Sequence, residues 1–132
     1  MKFARWIYAI AGVWGVAVLA PMFFMEKYVS EKYPPAMTHQ EFYYGFVCVG
    51  LAAQFMFLII ATDPMRYRPL MWVAMWEKFS AVIAVLILGF KGRISSQVAS
   101  AIIFDLILGV LFVMAWMKTK NLNHEGHEGA RR

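Results

Sequence analysis

The sequence predicts an all-α integral membrane protein, an up-down four-helix bundle. Of its 132 residues 61% are hydrophobic and only 16% are charged, too apolar a balance for a soluble domain of this length. Four apolar runs stand at about residues 4–24, 41–62, 69–90 and 97–117. Each is close to the roughly 20 residues that a helix rising about 1.5 Å per residue needs to cross about 30 Å of hydrocarbon. Two of the connections, DPMRYR and KGRISS, are so short that the spans they join must be antiparallel. Residues 1–118 are therefore expected to form one four-span domain, and residues 119–132 a disordered cytoplasmic tail.

The first run follows Lys2 and Arg5, which raises the alternative of a secretory signal peptide. The small-residue pattern VAVLA is followed directly by Pro21, a poor residue just past a cleavage site, and the apolar run continues through Phe24. The expectation is a retained span. The connection that follows, MEKYVSEKYPPAMTHQ, carries two EKY units and the Pro34-Pro35 break. It predicts a short interfacial helix and then a turn, with Tyr28 and Tyr33 at headgroup level. Thr38 and Glu41 have the spacing of a capping box, so the second span is expected to start there, with Tyr43 and Tyr44 in its first turns. Asp63-Pro64 opens the next turn, and Pro69 suits the first position of the third span.

Lysine and arginine set the orientation. Lys2, Arg5, Arg66, Arg68, Lys118, Lys120, Arg131 and Arg132 share one side, against Lys27, Lys32, Lys91 and Arg93 on the other. Both termini are expected in the cytoplasm, and the net charge of +5 reflects this bias together with attraction to anionic lipid. Nothing in the charge pattern calls for nucleic acid. Cys48, the only cysteine, excludes an internal disulfide and a two-cysteine redox relay.

The informative residues are the polar ones inside the spans. On the third helix the positions spaced like Glu77 are Ala74, Ser80, Ala81 and Ala84, so this small-residue stripe and Glu77 are expected to face the bundle interior. Trp72, Trp76, Phe79, Ile83 and Ile87 form the opposite, lipid-facing side. Lys78 lies about 100° round from Glu77 and cannot share its direction. On the fourth helix Asp105 stands between Ala101 and Gly109 at four-residue spacing, and on the second Gln54 shares a face with Gly50, Ala53 and Ala61. Counted from the inner ends, Gln54 and Glu77 are both about 12 Å deep, Lys78 about 13 Å and Asp105 about 18 Å. These depths suit a Glu77–Gln54 hydrogen bond and a Lys78–Asp105 ion pair. A charge at this depth costs about 3 kcal/mol unless it is paired. Gln54, Glu77, Ser80 and Asp105 therefore either lock the helices together or line a polar pocket for a lipid-like ligand, a quinone or a proton. The pocket reading predicts a cavity beside Glu77 bordered by Gln54, Ser80 and Asp105.

Several classes lack their residues. His39, His124 and His127 all lie outside the spans, so a membrane b-type haem has no ligands. The HEGHEG repeat of the tail offers two histidines, too few for a dedicated metal site. Small multidrug transporters carry their key Glu in the first helix, which here has no acidic residue. No catalytic machinery is demonstrable, and neither a cofactor nor a metal is expected.

Arg5, Tyr8, Gly12 and Gly15 leading to Leu19 and Pro21, together with the short DP-x-R turn, resemble the DoxX-like family of small bacterial four-helix membrane proteins. The resemblance covers most of the chain. It implies a bacterial inner-membrane protein acting as an accessory or small-ligand-binding protein of a membrane redox system, with an oxidoreductase partner or a quinone as its counterpart. Glu77, Asp105 and Trp76 are also similar to the emopamil-binding family, whose members use intramembrane acidic residues and aromatics around sterol-like ligands. That similarity implies the alternative, binding or modification of a lipid or sterol-like molecule.

Overall fold

The computed structural model describes residues 1–33, 36–94, 96 and 100–129, with side chains described as far as Thr119. Helix α1 (Lys2–Leu19) runs into a 3₁₀ segment, Ala20–Phe24. Pro21 causes the change, because it has no N–H for the helical ladder and the chain tightens around it. A short helix α2 (Glu26–Lys32) follows, then α3 (Gln40–Thr62), α4 (Arg68–Phe90) and α5 (Ile102–Gly129). Four segments are long and apolar enough to cross a membrane: Lys2–Phe24, Gln40–Thr62, Arg68–Phe90 and Ile102–Thr119. They form the all-α four-helix membrane bundle, and the described residues contain no strand.

Helix α5 differs from its expected span. It begins at Ile102, while residues 97–99, where the span was expected to start, lie outside the described residues. It also continues to Gly129, so a backbone helix occupies the part of the tail expected to be disordered. The fold of Asn121 to His124 onto a continuing ladder costs little once Ile102–Thr119 has nucleated the helix.

The connections show why the helices stop where they do. The expected capping box is absent: α3 starts at Gln40 with His39 at the cap and no side-chain cap bond, because Glu41 turns back to the His39 ring at 3.2 Å. Glu26 of α2 instead accepts from Gln40 Nε2 at 2.8 Å and from the Tyr44 hydroxyl at 2.9 Å. Tyr43 donates its hydroxyl to Met22 O at 2.7 Å, tying α3 to the 3₁₀ segment. Asp63 Oδ1 accepts from the N–H groups of Met65 and Arg66, both at 3.2 Å, which closes the tight turn into α4. Helix α4 ends in a Schellman motif: Gly92 sits at φ +64, its N–H reaches Gly89 O, and the Arg93 N–H reaches Leu88 O.

Packing is uneven. Helix α1 lies closely on α3, α4 lies closely on α5, and α1 against α5 joins the two pairs, whereas α3 and α4 touch least of the four neighbours. The tight core sits at the end of the bundle that holds the N-terminus and the α3–α4 turn. Tyr8 stacks on Phe112 with centroids 4.3 Å apart, Phe57 meets Phe112 edge-on at 5.0 Å, and Ala4, Ile60, Met71, Ala74 and Ala115 close around them. In lipid the gain comes from interdigitation rather than from leaving water, so small residues matter where backbones meet. A Cβ on Gly12 would stand 2.7 Å from the Leu58 side chain. One on Gly15 would overlap the Gln54 carboxamide.

Candidate functional site

Lys78 is the hub of the polar cluster. It is 6% exposed, and its Nζ donates to Asp105 Oδ1 at 2.8 Å. The same ammonium donates to Glu77 Oε1 at 3.3 Å and lies 3.2 Å from Glu77 Oε2, off that oxygen's hydrogen-bonding direction. It also stands 5.5 Å from the centroid of the Phe57 ring, so one lysine of α4 meets groups on α5 and α3. Gly109 permits the α4–α5 approach: a Cβ there would be 3.1 Å from Phe79 Cζ and 3.5 Å from Lys78 Cβ. Asp105 is one turn away on the same face of α5.

Two expectations change here. The expected Lys78–Asp105 pair gains a third member, since Glu77 shares the same ammonium: a four-carbon stem covers the 100° between adjacent helical positions. The cluster thus holds two carboxylates against one ammonium, with Glu77 and Asp105 side chains 33% and 35% exposed. Phe79 was placed on the lipid side but is half-buried on Gly109, while Trp72, Trp76, Ile83 and Ile87 are exposed as expected.

Gln54 does not join the cluster. Its Nε2 donates to Gly50 O at 3.1 Å, back along its own helix, and its carboxamide fills the slot left by Gly15 on α1. The expected Glu77–Gln54 bond is therefore replaced by a contact with α1. The groove-facing side of α3 carries Ala53 instead, one residue round from Gln54, with Gly50 a turn before Gln54.

Because α3 and α4 diverge from their shared turn, a groove of about 650 Å³ opens between them toward the lipid. Gly45, Gly50 and Ala53 line one side, Ala81 and Ala84 the other, with Phe42, Phe46 and Val49 on the apolar wall. Its polar groups are Glu77 and Ser80 at one end and Glu41 at the other. Ser80 Oγ donates to Glu77 O at 3.2 Å, which leaves its lone pairs free to accept. Of the four expected cavity residues, Glu77 and Ser80 border the groove, while Gln54 and Asp105 do not. Asp105 stands behind Glu77, on the far side of Lys78.

The contacts of Phe57 with Lys78 and of Gly15 with Gln54 are the ones that sequence reasoning missed. Gly15 carried a signal, since a glycine in a span marks close approach, but its partner could not be read from spacing on a different helix. Among the described residues no group of three or more His, Cys, Asp or Glu side chains could hold a metal ion. The side chains of His124 and His127 lie outside the described residues. In comparisons with known proteins no family model, no curated protein and no solved structure matches the chain.

Proposed function

We propose that the protein holds a small amphiphilic molecule, quinone-like or sterol-like, in the groove between α3 and α4. Its polar end would hydrogen-bond to Glu77 and Ser80, and its apolar body would lie along Phe46 and Val49. The observation that supports this most is Glu77: a partly exposed carboxylate, with Ser80 beside it, borders the long apolar wall of the groove and is backed by a buried ammonium. Ionisable groups within a membrane span are functional candidates by default, and this one borders the groove in which a guest would lie. The groove volume is within the range of about 300–1,000 Å³ typical of small-ligand sites. An accessory role in a membrane redox system, in the bacterial inner membrane with both termini cytoplasmic, rests on the DoxX-like resemblance and the lysine and arginine bias.

The test is extraction in a mild detergent and mass spectrometry of the small molecules that co-purify. The wild type should retain a stoichiometric amphiphile. Ala81→Phe, which fills the groove one turn from Glu77, should lose it, and Glu77→Gln should lose it with the fold intact. Retention by Ala81→Phe equal to wild type would refute the site.

A further inference from the structure

A second polar pocket lies at the opposite end of α4 from the groove's mouth, where the chain turns from α3 into α4. It encloses about 430 Å³ between Met65, Arg66, Arg68, Pro69, Trp72 and Trp116. The Arg68 guanidinium stacks 4.6 Å above the Trp116 ring, and Trp72 meets that ring edge-on at 5.0 Å. Three donors are buried here without an acceptor: Arg68 Nε, Arg68 Nη2 and Trp116 Nε1. The nearest acid in sequence is spent, since Asp63 Oδ1 caps the Met65 and Arg66 N–H groups. Among the described residues no carboxylate makes an ion pair with either arginine.

Buried donors without partners are costly, most of all on a charged group, and native structures rarely leave three together. Their geometry states what would satisfy them. A guanidinium edge offers parallel N–H groups matched to two oxygens of a phosphate, and an indole N–H beside it suits a third. The pocket's level, at the end of the spans rather than in their middle, is where phosphate groups of a bilayer lie.

We infer that the pocket at the α3–α4 turn binds a phosphate group, carried by an acidic membrane lipid or by a soluble phosphate compound. Arg68 and Trp116 Nε1 supply the buried donors, and exposed Arg66 stands at the entrance and draws the anion in. The site is separate from the α3–α4 groove, so it stands or falls independently of the amphiphile proposed there.

The experiment uses full-length protein in dodecyl maltoside and a phosphate-free buffer, titrated with dihexanoyl phosphatidylglycerol, with dihexanoyl phosphatidylcholine and with inorganic phosphate. Binding is read by native mass spectrometry and by tryptophan fluorescence. Phosphatidylglycerol should bind more tightly than phosphatidylcholine. Arg68→Gln should weaken it about tenfold or more, and Trp116→Phe, which removes the indole N–H along with the five-membered ring that carries it, about threefold. Saturation by inorganic phosphate at comparable concentration identifies a soluble phosphate as the occupant; saturation by phosphatidylglycerol alone identifies a lipid headgroup. Absence of binding by both, or a Trp116→Phe protein that binds as tightly as wild type, overturns the inference even if Arg68→Gln fails to fold.

Discussion

Removing the two partners of the Lys78–Asp105 pair should have unequal costs. Lys78→Met leaves Glu77 and Asp105 facing each other in half-buried positions with no counter-charge, and breaking a buried pair in this way costs about 3–5 kcal/mol. Asp105→Leu is milder, because Glu77 still holds the ammonium at 3.2 Å and only one charge-assisted hydrogen bond is lost, about 1.5–3 kcal/mol. The double variant removes a like-charged neighbour along with the ammonium and leaves a lone Glu77 that is open to the groove. It should therefore cost less than the two single changes together, by about 2 kcal/mol. The assay is reversible unfolding in mixed micelles of dodecyl sulfate and dodecyl maltoside, followed by tryptophan fluorescence. Equal costs for the two single variants, or additivity within about 0.5 kcal/mol, would refute the three-membered cluster.

Tyr8 is fully buried with its hydroxyl lacking a partner, so Tyr8→Phe should keep the stack on Phe112 and raise stability by about 1 kcal/mol in the same unfolding assay. Gly15→Leu should force the Gln54 carboxamide out of its slot and separate α1 from α3, lowering stability by about 1–3 kcal/mol; an unaltered midpoint would contradict the contact. Reporter fusions after α5 and between α2 and α3 should give opposite signals, with the C-terminal fusion on the cytoplasmic side.

The spans were legible because membrane-crossing helices obey a length rule: the first three runs begin and end within two residues of Lys2–Phe24, Gln40–Thr62 and Arg68–Phe90. Depth was legible for the same reason, and it brought Lys78 level with an acid on the fourth span. Direction was harder. Gln54 is level with Glu77, which suggested their pairing, but the deciding residue was Gly15 on another helix, which leaves a slot that the Gln54 carboxamide fills. Phe79 moved inward for a matching reason, since Gly109 left space for a ring. In both cases a glycine on the partner helix decided the rotation. Thr38 and Glu41 had capping-box spacing, yet the intervening His39 captured the glutamate first, a competition that spacing alone does not register.

The uneven packing also has a mechanical meaning. The aromatic core clamps α3 and α4 near Phe57, Ile60, Met71 and Ala74, and the Asp63–Tyr67 turn holds them together just beyond it. Their other halves have few mutual contacts. The pair works as tweezers with a stiff hinge at one end. An arm of roughly 20 residues is about 30 Å long, so tilting one by about 5° would shift its tip by about 2–3 Å. That movement would widen the groove's opening toward the bilayer while leaving the stack of Tyr8 on Phe112, at the hinge end, in place.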